Sequence, residues 1–222
     1  MEEGWLAVDG KLARVDWARL REVVHTATHL LDNVIDANKF PIPELKTMSD
    51  ATRKIGLGVM GFARMLFKLG IAYGSDESVE LASELMAFID LESKKKSVEL
   101  AKVRGSFPAR KGHEAESNAI FVRWCKERAD KARYDLERDD IADGYLELVD
   151  LIPFYGIRNS NTTTVAPTGT LSIIADTSGG CEPVFALAFK RWQADTHMVD
   201  SDSVFKDWLE NRAQCEGDIK EI

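Results

Sequence analysis

The sequence predicts a helix-rich α/β fold, and three observations support that prediction. Apolar residues recur every three or four positions through most of residues 16–149, which is the spacing of amphipathic helices. Only two later segments, 162–165 and 184–192, have the composition of strands. The first of them leads through a tight turn into a short apolar segment, the order of strand, turn and helix found in α/β proteins. So few strands indicate an incomplete α/β unit.

The first predicted helix covers residues 16–40 and ends at Pro41 and Pro43, which form a short connector. Its apolar positions repeat on one face: Trp17, Leu20, Val23, Val24, Ala27, Leu30, Leu31, Val34 and Ile35. His25 and His29 lie one turn apart on its flank, a spacing that can hold a metal ion. No glutamate follows His25 as in the H-E-x-x-H motif, so we interpret both as ordinary flank histidines and predict no metal site.

Further helices are predicted at residues 59–69, 76–104, 115–138 and 141–149. The long helix from residue 76 has the clearest ends. Ser75 can cap its N-terminus, and the acidic residues Asp76 and Glu77 suit the positive end of the helix dipole. Gly105 follows the last turn, where glycine commonly ends a helix.

The last part of the chain is predicted to mix strands and helices. Its elements are, in order, a strand (162–165), a turn (166–170), a short helix (171–175), a second strand (184–192) and a final helix (203–214). Gly179 and Gly180 break the short helix. The pattern contains no internal repeat.

The net charge of −8 over 222 residues argues against a general nucleic-acid binder, because neutralising phosphates requires a basic surface. The short basic run Lys94-Lys95-Lys96 is flanked by acidic residues and is predicted to be a solvated helix face. No segment approaches the ~20 apolar residues of a membrane helix, and the start of the chain does not resemble a secretory signal. The widely spaced Cys125, Cys181 and Cys215 suit a reducing cytoplasm and form no zinc-site pattern.

The segment GLGVMG, residues 56–61, matches the G-x-G-x-x-G fingerprint of dinucleotide-binding turns, and Asp76 lies about where a ribose-binding carboxylate is expected. The fingerprint requires a buried strand before it and a second strand that ends at the acidic residue. Here the preceding residues are mostly polar, and Asp76 starts a helix. We therefore favour close backbone packing over dinucleotide binding. In that interpretation Gly58, Gly61 and Ala63 let a neighbouring segment approach.

The turn A-P-T-G-T is a better candidate for binding an anion. The start of a helix presents unpaired backbone N–H groups and the positive end of the helix dipole. Thr168, Thr170 and Ser172 add hydroxyl donors. Gly169 lets a phosphate approach the backbone, and Pro167 restricts the turn. The alternative is an ordinary helix start capped by Thr168 or Thr170, and the residues alone leave both interpretations open.

Four segments carry a resemblance to a known family: LLDNVIDANKFPIPE (30–44), RKIGLGVMGFARMLFKLGIAYGSDES (53–78), ELAKVRGSFPA (99–109) and GIRNSNTTTVAPTGTLSIIADTSGGCEPVFAL (156–187). They resemble the catalytic subunit of ribonucleotide reductase, in particular its adenosylcobalamin-dependent, class II branch. The turn A-P-T-G-T is the most specific element, because class I enzymes tend to have a different turn there. The resemblance extends from about residue 16 to residue 191. The less distinctive parts are a variable lead-in (1–15), the stretch 110–150 and a C-terminal extension (192–222).

The resemblance implies part of a ten-stranded α/β barrel, with residues 1–222 as a single truncated piece of the catalytic domain. It also implies radical chemistry, in which a thiyl radical takes a hydrogen from the ribose, water leaves and a cysteine pair supplies electrons. Adenosylcobalamin is the implied cofactor, a ribonucleotide the substrate, a dithiol such as thioredoxin the reductant, and a homodimer the assembly. In the family the A-P-T-G-T turn holds the substrate phosphates. Carried over to this sequence, the phosphate-binding residues are Pro167, Thr168, Gly169, Thr170, Leu171 and Ser172.

This sequence departs from the family in two places. The family's radical cysteine lies in an Asn-Cys-x-Glu finger loop, and that motif is absent here. Cys125 has the C-x-E spacing but lies in a charged helix, so we interpret it as structural and assign no catalytic residue. We expect the chain to begin after the finger loop and to lack reductase activity by itself. Where the family has Gly-Ile-Glu-Pro, Cys181 replaces the isoleucine and is predicted to fill its apolar position.

Two alternatives remain. The chain could be a non-catalytic nucleotide-binding or assembly module that complements another chain carrying the finger loop. It could also be part of a class I large subunit with a separate radical-generating partner, although the chemistry of the turn argues against that.

Overall fold

Long helices make up most of the structure, as the sequence predicts. The computed structural model describes residues 6–9, 12–193 and 196–207, with side chains for residues 14–188 and 202–207. The helices are α1 (Trp17–Ala37), α2 (Pro43–Thr52), α3 (Phe62–Leu69), α4 (Asp76–Arg104), α5 (Glu114–Tyr134), α6 (Asp139–Tyr155) and α7 (Gly169–Ile174). The chain divides into two units, the first drawn from residues 1–58 and 74–165 and the second from 59–73 and 166–222. None of the described helices combines the length and apolar character needed to cross a bilayer.

The predicted helix ends are confirmed where a capping residue marks them. Helix α1 starts after Asp16, whose Oδ1 accepts a 2.9 Å hydrogen bond from the N–H of Arg19. Helix α4 starts after Ser75, whose hydroxyl accepts a 3.2 Å bond from the N–H of Ser78. It ends at Gly105, which has a φ of 79°. The two caps satisfy N–H groups that a first helical turn leaves without partners.

Helix α2 is missing from the sequence prediction, which placed a short connector at Pro41 and Pro43. Pro43 is instead the first residue of this ten-residue helix. Proline suits the first turn because it has no N–H group to satisfy, and Glu44 suits the positive helix end. The helix ends at Arg53, which adopts a left-handed conformation with a φ of 45°.

The core of the first unit lies among α1, α4, α5 and α6. Its buried apolar side chains include Val24, Phe88, Leu91, Val98, Ala129, Tyr145, Leu148 and Ile152. On the apolar face predicted for α1, Leu20, Val24 and Ile35 are buried. Leu30 and Val34 on the same helix are exposed, so the predicted face is wider than the buried one.

Lys94 contradicts the prediction of a solvated basic run. Its ammonium group is buried, pairs with Asp90 one turn earlier and lies 4.2 Å from the ring centroid of Trp124. The hydroxyl of Thr162 lies 3.3 Å from the same ammonium. Burial lowers the pKa of Lys94, and the charge of Asp90 only partly offsets that effect. The lysine is therefore part of the core.

A buried ionic network, here called the Asp32 cluster, consists of Asp32, Arg53, Arg104, Arg158 and Asn159. The fully buried Asp32 carboxylate accepts bonds of 2.8 and 2.9 Å from Arg53 and 3.0 Å from Asn159. Arg104 and Arg158 approach the same carboxylate at 3.1 and 3.4 Å. Burial alone would raise the pKa of Asp32, but the hydrogen bond and charge of Arg53 hold it below its usual range. The cluster also supplies contacts that hold Arg53 in its left-handed conformation.

Two segments of the first unit run side by side as a short parallel pair. The N–H of Leu57 donates to the carbonyl of Thr162 at 2.8 Å, and the N–H of Thr164 donates back to Leu57 at 3.0 Å. Leu57 and Thr163 form an isolated parallel bridge. The strand predicted over residues 162–165 is therefore too long, because only Thr163 forms a bridge, with Leu57.

The named strands form two antiparallel ribbons: β1 (Leu6–Asp9) with β2 (Leu12–Val15), and β3 (Ala188–Gln193) with β4 (Thr196–Ser201). The strand predicted at 184–192 is confirmed over its second half, whereas β1, β2 and β4 were not predicted. The predicted final helix is helical from residue 203 to 207, and its remainder lies outside the described residues. Within those residues the strands do not form a barrel, so the partial barrel stays a prediction.

Candidate phosphate-binding turn

The A-P-T-G-T turn lies in the second unit, directly before α7. Thr168 occupies the N-cap position in a left-handed conformation, with φ 50° and ψ 29°. The first helical bond runs from the N–H of Ser172 to the carbonyl of Thr168 at 2.8 Å. The N–H groups of Gly169, Thr170 and Leu171 lie ahead of that bond, where a helix leaves its donors without intrahelical partners. The start of α7 thus offers a set of backbone donors within one turn.

The hydroxyl of Thr168 is held from behind and does not cap α7. Its Oγ1 accepts a 2.7 Å hydrogen bond from the N–H of Gly180, and no side-chain cap bond forms at the start of the helix. In the capping alternative, Thr168 was expected to accept a bond from an N–H of α7. It does occupy the N-cap position, but its hydroxyl accepts from Gly180 instead. A hydroxyl that accepts one bond still has its own proton to donate. The bond from Gly180 holds that oxygen in place.

The other predicted site residues divide into exposed and supporting ones. Pro167, Gly169, Thr170 and Leu171 are exposed around the turn. A methyl group in place of the Gly169 hydrogen would meet no atom within 4 Å, so the backbone is open there. Ser172 is buried, and its hydroxyl donates to the carbonyl of Gly169 at 3.0 Å. Its hydroxyl thus supports the turn from inside.

The segment after α7 forms the back of the turn and is held by the start of α3. The N–H of Gly61 donates to the carbonyl of Ser178 at 2.8 Å, and that of Phe62 donates to Gly180 at 3.4 Å. Gly61 has a φ of 87°, and a methyl group there would lie 2.7 Å from Oγ1 of Thr177. This close approach in a left-handed conformation requires glycine.

Arg64 of α3 is a residue that sequence reasoning missed. Its side chain is buried, its Nε donates to Oδ2 of Asp202 at 2.7 Å, and its Nη1 donates to the carbonyl of Asp176. Asp202 is buried too, and its Oδ1 accepts a 3.1 Å bond from the N–H of Phe205. The available signal was a cation within the apolar segment 59–69. Periodicity identifies such a residue but not its partners.

The glycines of GLGVMG serve close packing, as predicted. In the first unit, a methyl group on Gly56 would lie 2.8 Å from Cγ2 of Thr164. One on Gly58 would lie 2.7 Å from the carbonyl oxygen of the same threonine. In the second unit, Gly61 packs closely as described above and Ala63 is buried. The packing interpretation is therefore confirmed for Gly58 and Gly61, and the burial of Ala63 agrees with it.

Comparison with known proteins decides the family. Residues 7–222 match the family described as ribonucleotide reductase, barrel domain. This chain belongs to the ribonucleotide reductase barrel-domain family. The resemblance inferred from the four sequence segments is therefore confirmed.

The relatives of this chain are much longer proteins. It is 47% identical over 184 residues to the vitamin B12-dependent ribonucleoside-diphosphate reductase of Thermoplasma acidophilum, covering 83% of this chain and 19% of that protein. The protein of the same name from Mycobacterium tuberculosis is 40% identical over 192 residues, covering 86% and 22%. The ribonucleoside-diphosphate reductase subunit alpha of Chlamydia pneumoniae is 33% identical over 179 residues, covering 79% and 17%. The chain spans about a fifth of the length of these relatives.

The two described cysteines of the chain differ in environment. Cys125 is buried in α5, and burial raises the pKa of its thiol to about 11. Cys181 is exposed, so the prediction that it fills an apolar position is wrong. Its segment is held through the backbone, because the hydroxyl of Tyr73 donates to the Cys181 carbonyl at 3.0 Å. That contact needs no buried side chain at position 181.

The flank histidines contact side chains of α4. Nε2 of His25 lies 2.8 Å from Oε2 of the buried Glu92, and Nε2 of His29 lies 3.1 Å from Nη2 of Arg104. Burial alone would raise the pKa of Glu92, but the hydrogen bond from His25 and the charge of Arg21 hold it below its usual range. Among the described side chains, no group of three or more His, Cys, Asp or Glu residues comes together to hold a metal ion.

Proposed function

We propose that this chain is part of a vitamin B12-dependent ribonucleotide reductase and supplies the turn that binds the phosphates of the ribonucleotide substrate. The observation that carries the proposal is the 2.7 Å bond from the N–H of Gly180 to Oγ1 of Thr168. It orients a hydroxyl donor beside the exposed start of α7. Membership of the barrel-domain family and similarity to vitamin B12-dependent relatives support the reductase assignment.

The turn binds phosphate through donors alone. The N–H groups of Gly169, Thr170 and Leu171 stand at the positive end of α7, and the hydroxyls of Thr168 and Thr170 add side-chain donors. The open backbone at Gly169 lets a phosphate oxygen come within hydrogen-bonding distance. Ser172 holds the Gly169 carbonyl from inside and so keeps the peptide in place. Each hydrogen bond to a charged phosphate contributes about 1.5–3 kcal/mol.

The reaction of the whole enzyme is the radical reduction of a ribonucleotide to a deoxyribonucleotide. A thiyl radical takes a hydrogen from the ribose, water leaves, and a cysteine pair supplies electrons that a dithiol such as thioredoxin restores. This chain contributes substrate binding to that reaction. Because its sequence lacks Asn-Cys-x-Glu, the 222 residues alone are inactive. The parallel pair at Leu57 belongs to the ten-stranded barrel of a cytoplasmic, homodimeric enzyme.

Adenosylcobalamin is the cofactor implied by the vitamin B12-dependent relatives, and it supplies the means of generating the radical. The described residues do not form a site for it. Among the described side chains, the histidines His25 and His29 already engage Glu92 and Arg104 through Nε2. His113 engages a glutamate through Nδ1. No step through cobalamin is therefore derived from these residues.

Titration of phosphate ligands tests the proposal. A ribonucleoside diphosphate, the matching triphosphate and the matching nucleoside are titrated into the 222-residue chain by calorimetry. Thr170→Ala is expected to weaken binding of both phosphorylated ligands about tenfold and to leave nucleoside binding unchanged, since one charge-assisted hydrogen bond is lost. Thr26→Ala, which removes an exposed threonine of α1, is the matched control. Equal binding of the diphosphate by wild type and Thr170→Ala would remove the phosphate assignment.

A second candidate is a nucleotide-binding or assembly module that complements a separate chain carrying the finger loop. This candidate, like the first, agrees with the absence of Asn-Cys-x-Glu from this sequence. The genomic reading frame before Met1 separates the two candidates. A continuous frame that encodes the motif supports part of one enzyme, whereas a stop codon before Met1 supports a separate module. Deoxynucleotide formation by the 222 residues with adenosylcobalamin and a dithiol would contradict the inactivity stated for both.

A further inference from the structure

Arg64 is a buried cation on helix α3. Its side chain is 8% exposed, and the nearby α3 residues Ala63 and Leu66 are buried as well. Burying a guanidinium costs free energy unless its hydrogen bonds are made with good geometry. Asp202 repays part of that cost, because the 2.7 Å bond to Arg64 joins two buried, opposite charges. The other end of the guanidinium donates to the carbonyl of Asp176, which a simple ion pair does not require.

Asp176 lies where the chain turns back after α7. It has a φ of 48°, a left-handed conformation that is unfavourable for a residue other than glycine. The Arg64 guanidinium donates to its carbonyl and lies 3.4 Å from its carboxylate. The contacts of Arg64 therefore hold a strained residue at the entrance to the segment that forms the back of the turn.

A continuous series of contacts leads from Asp176 to the turn. The N–H of Thr177 donates to the carbonyl of Ser172 at 2.9 Å, which fixes the end of α7. Three residues later, the N–H of Gly180 donates to Oγ1 of Thr168 at 2.7 Å. All of these residues lie in the second unit. The position of the Thr168 hydroxyl is thus set by the path of the chain from Asp176 to Gly180.

We infer that Arg64 is a positioning residue for the phosphate-binding turn. It contacts no ligand and acts through Asp176 and Gly180, which hold the Thr168 hydroxyl in the orientation that donates to phosphate. Asp202 acts with it by holding the guanidinium from the opposite side. This inference rests on the proposed function of the turn, and it adds a residue outside the A-P-T-G-T motif that controls affinity for phosphate.

The test compares Arg64→Lys with two other variants of the 222-residue chain. Arg64→Lys keeps the positive charge but loses the planar fork that reaches two partners at once. Arg53→Lys is the matched control, because Arg53 is equally buried and paired with carboxylates but lies in the other unit. Thr168→Val removes the hydroxyl at the far end of the contact series. Each variant is titrated with inorganic pyrophosphate, and hydrogen exchange over residues 166–180 is followed by mass spectrometry.

Arg64→Lys is expected to speed exchange over residues 166–180 and to weaken pyrophosphate binding about tenfold, as for the loss of one oriented donor. Arg53→Lys is expected to leave both unchanged. The double variant Arg64→Lys/Thr168→Val is expected to bind pyrophosphate no more weakly than Thr168→Val alone, because both changes remove the same donor. A purely structural role would instead make the two losses add.

Three results would overturn the inference: unchanged exchange over residues 166–180 in Arg64→Lys, equal loss of pyrophosphate binding in Arg53→Lys, or additive losses in the double variant. If Arg64→Lys unfolds, Asp202→Asn tests the same contacts. This variant is expected to speed exchange over residues 166–180, and unchanged exchange would count against the inference. Failure of the wild type to bind pyrophosphate, with faster exchange in Arg64→Lys, would remove the proposed function but support Arg64 as the residue that sets the turn.

Discussion

Removing the carboxylate of Asp32 is expected to lower the free energy of unfolding by about 3–5 kcal/mol, the range measured when one partner of a buried ion pair is deleted. Asp32 is fully buried, and its oxygens accept hydrogen bonds from Arg53 and Asn159. Asp32→Ala would remove the carboxylate shared by Arg53, Arg104 and Arg158 and leave a cavity among them. Arg53 would keep Asp36 as a partner. Urea unfolding followed by circular dichroism measures the loss. With a slope of about 2 kcal/mol/M, the midpoint should fall by roughly 2 M.

Asp36→Ala is the control, because Asp36 bonds the same arginine but its side chain is 55% exposed. An exposed ion pair contributes about 0.2–1 kcal/mol, so this variant should shift the midpoint by less than about 0.5 M. Equal shifts for Asp32→Ala and Asp36→Ala would refute the reasoning, since burial would then not decide the cost. So would a loss below about 1 kcal/mol for Asp32→Ala.

The same residue predicts a pH dependence. Burial acts to raise the pKa of Asp32, but Arg53 and its neighbours lower it below the usual value of 3.8. The unfolded chain then binds the proton more readily than the folded chain, so stability rises with pH through this range. The contribution of Asp32 is complete above the unfolded-state pKa and is lost as the pH falls through the lower folded-state pKa. The stability gap between wild type and Asp32→Ala should therefore be constant near neutral pH and should narrow in acid.

Two further predictions follow from burial and close packing. At pH 8, iodoacetamide should modify Cys181 rapidly and Cys125 at least about a hundredfold more slowly, because Cys125 is buried and its thiol has a pKa of about 11. Peptide mass spectrometry measures both rates. Comparable rates would contradict the buried environment of Cys125. Gly58→Ala should destabilise the chain by about 1–3 kcal/mol, because its methyl group would meet the carbonyl oxygen of Thr164 at 2.7 Å. Gly169→Ala, which meets no atom within 4 Å, should change stability by less than about 0.5 kcal/mol in the same urea assay, and equal losses would remove the packing argument.

The local elements could be predicted because their signals lie within a few residues of each other. Ser75 and Gly105 mark both ends of α4, and Thr168, one of two cap positions considered, occupies the N-cap of α7, which begins two residues before the predicted Leu171. Helix α2 was missed because Pro41 and Pro43 were interpreted as a connector. Pro43 followed by Glu44 is, however, also a good helix start. The successes and the miss both depend on local residues, because capping and turn chemistry act over one helical turn and the same residues can suit a helix start or a connector.

Contacts between distant residues could not be predicted in this way. Lys94 lies in a basic run that was predicted to be solvated, but the fold brings Asp90 and the ring of Trp124 around its ammonium group. Cys181 replaces an apolar residue of the family pattern and is nevertheless exposed. Arg64 finds Asp202, 138 positions away. Burial of a charge depends on which partners the tertiary structure supplies, and sequence spacing carries no information about them.

The sequence by itself determined the helix-rich fold, the helix ends marked by caps, the family and the turn that precedes α7. These follow from periodicity, from short-range capping and from motif residues that stand together in the chain. The tertiary structure alone decided that Gly180 holds the Thr168 hydroxyl, that Arg64 supports the segment behind it and that Asp32 joins three arginines. The physical reason is that a hydrogen bond between distant segments forms only when packing brings donor and acceptor within about 3 Å, and that distance is a property of the whole fold.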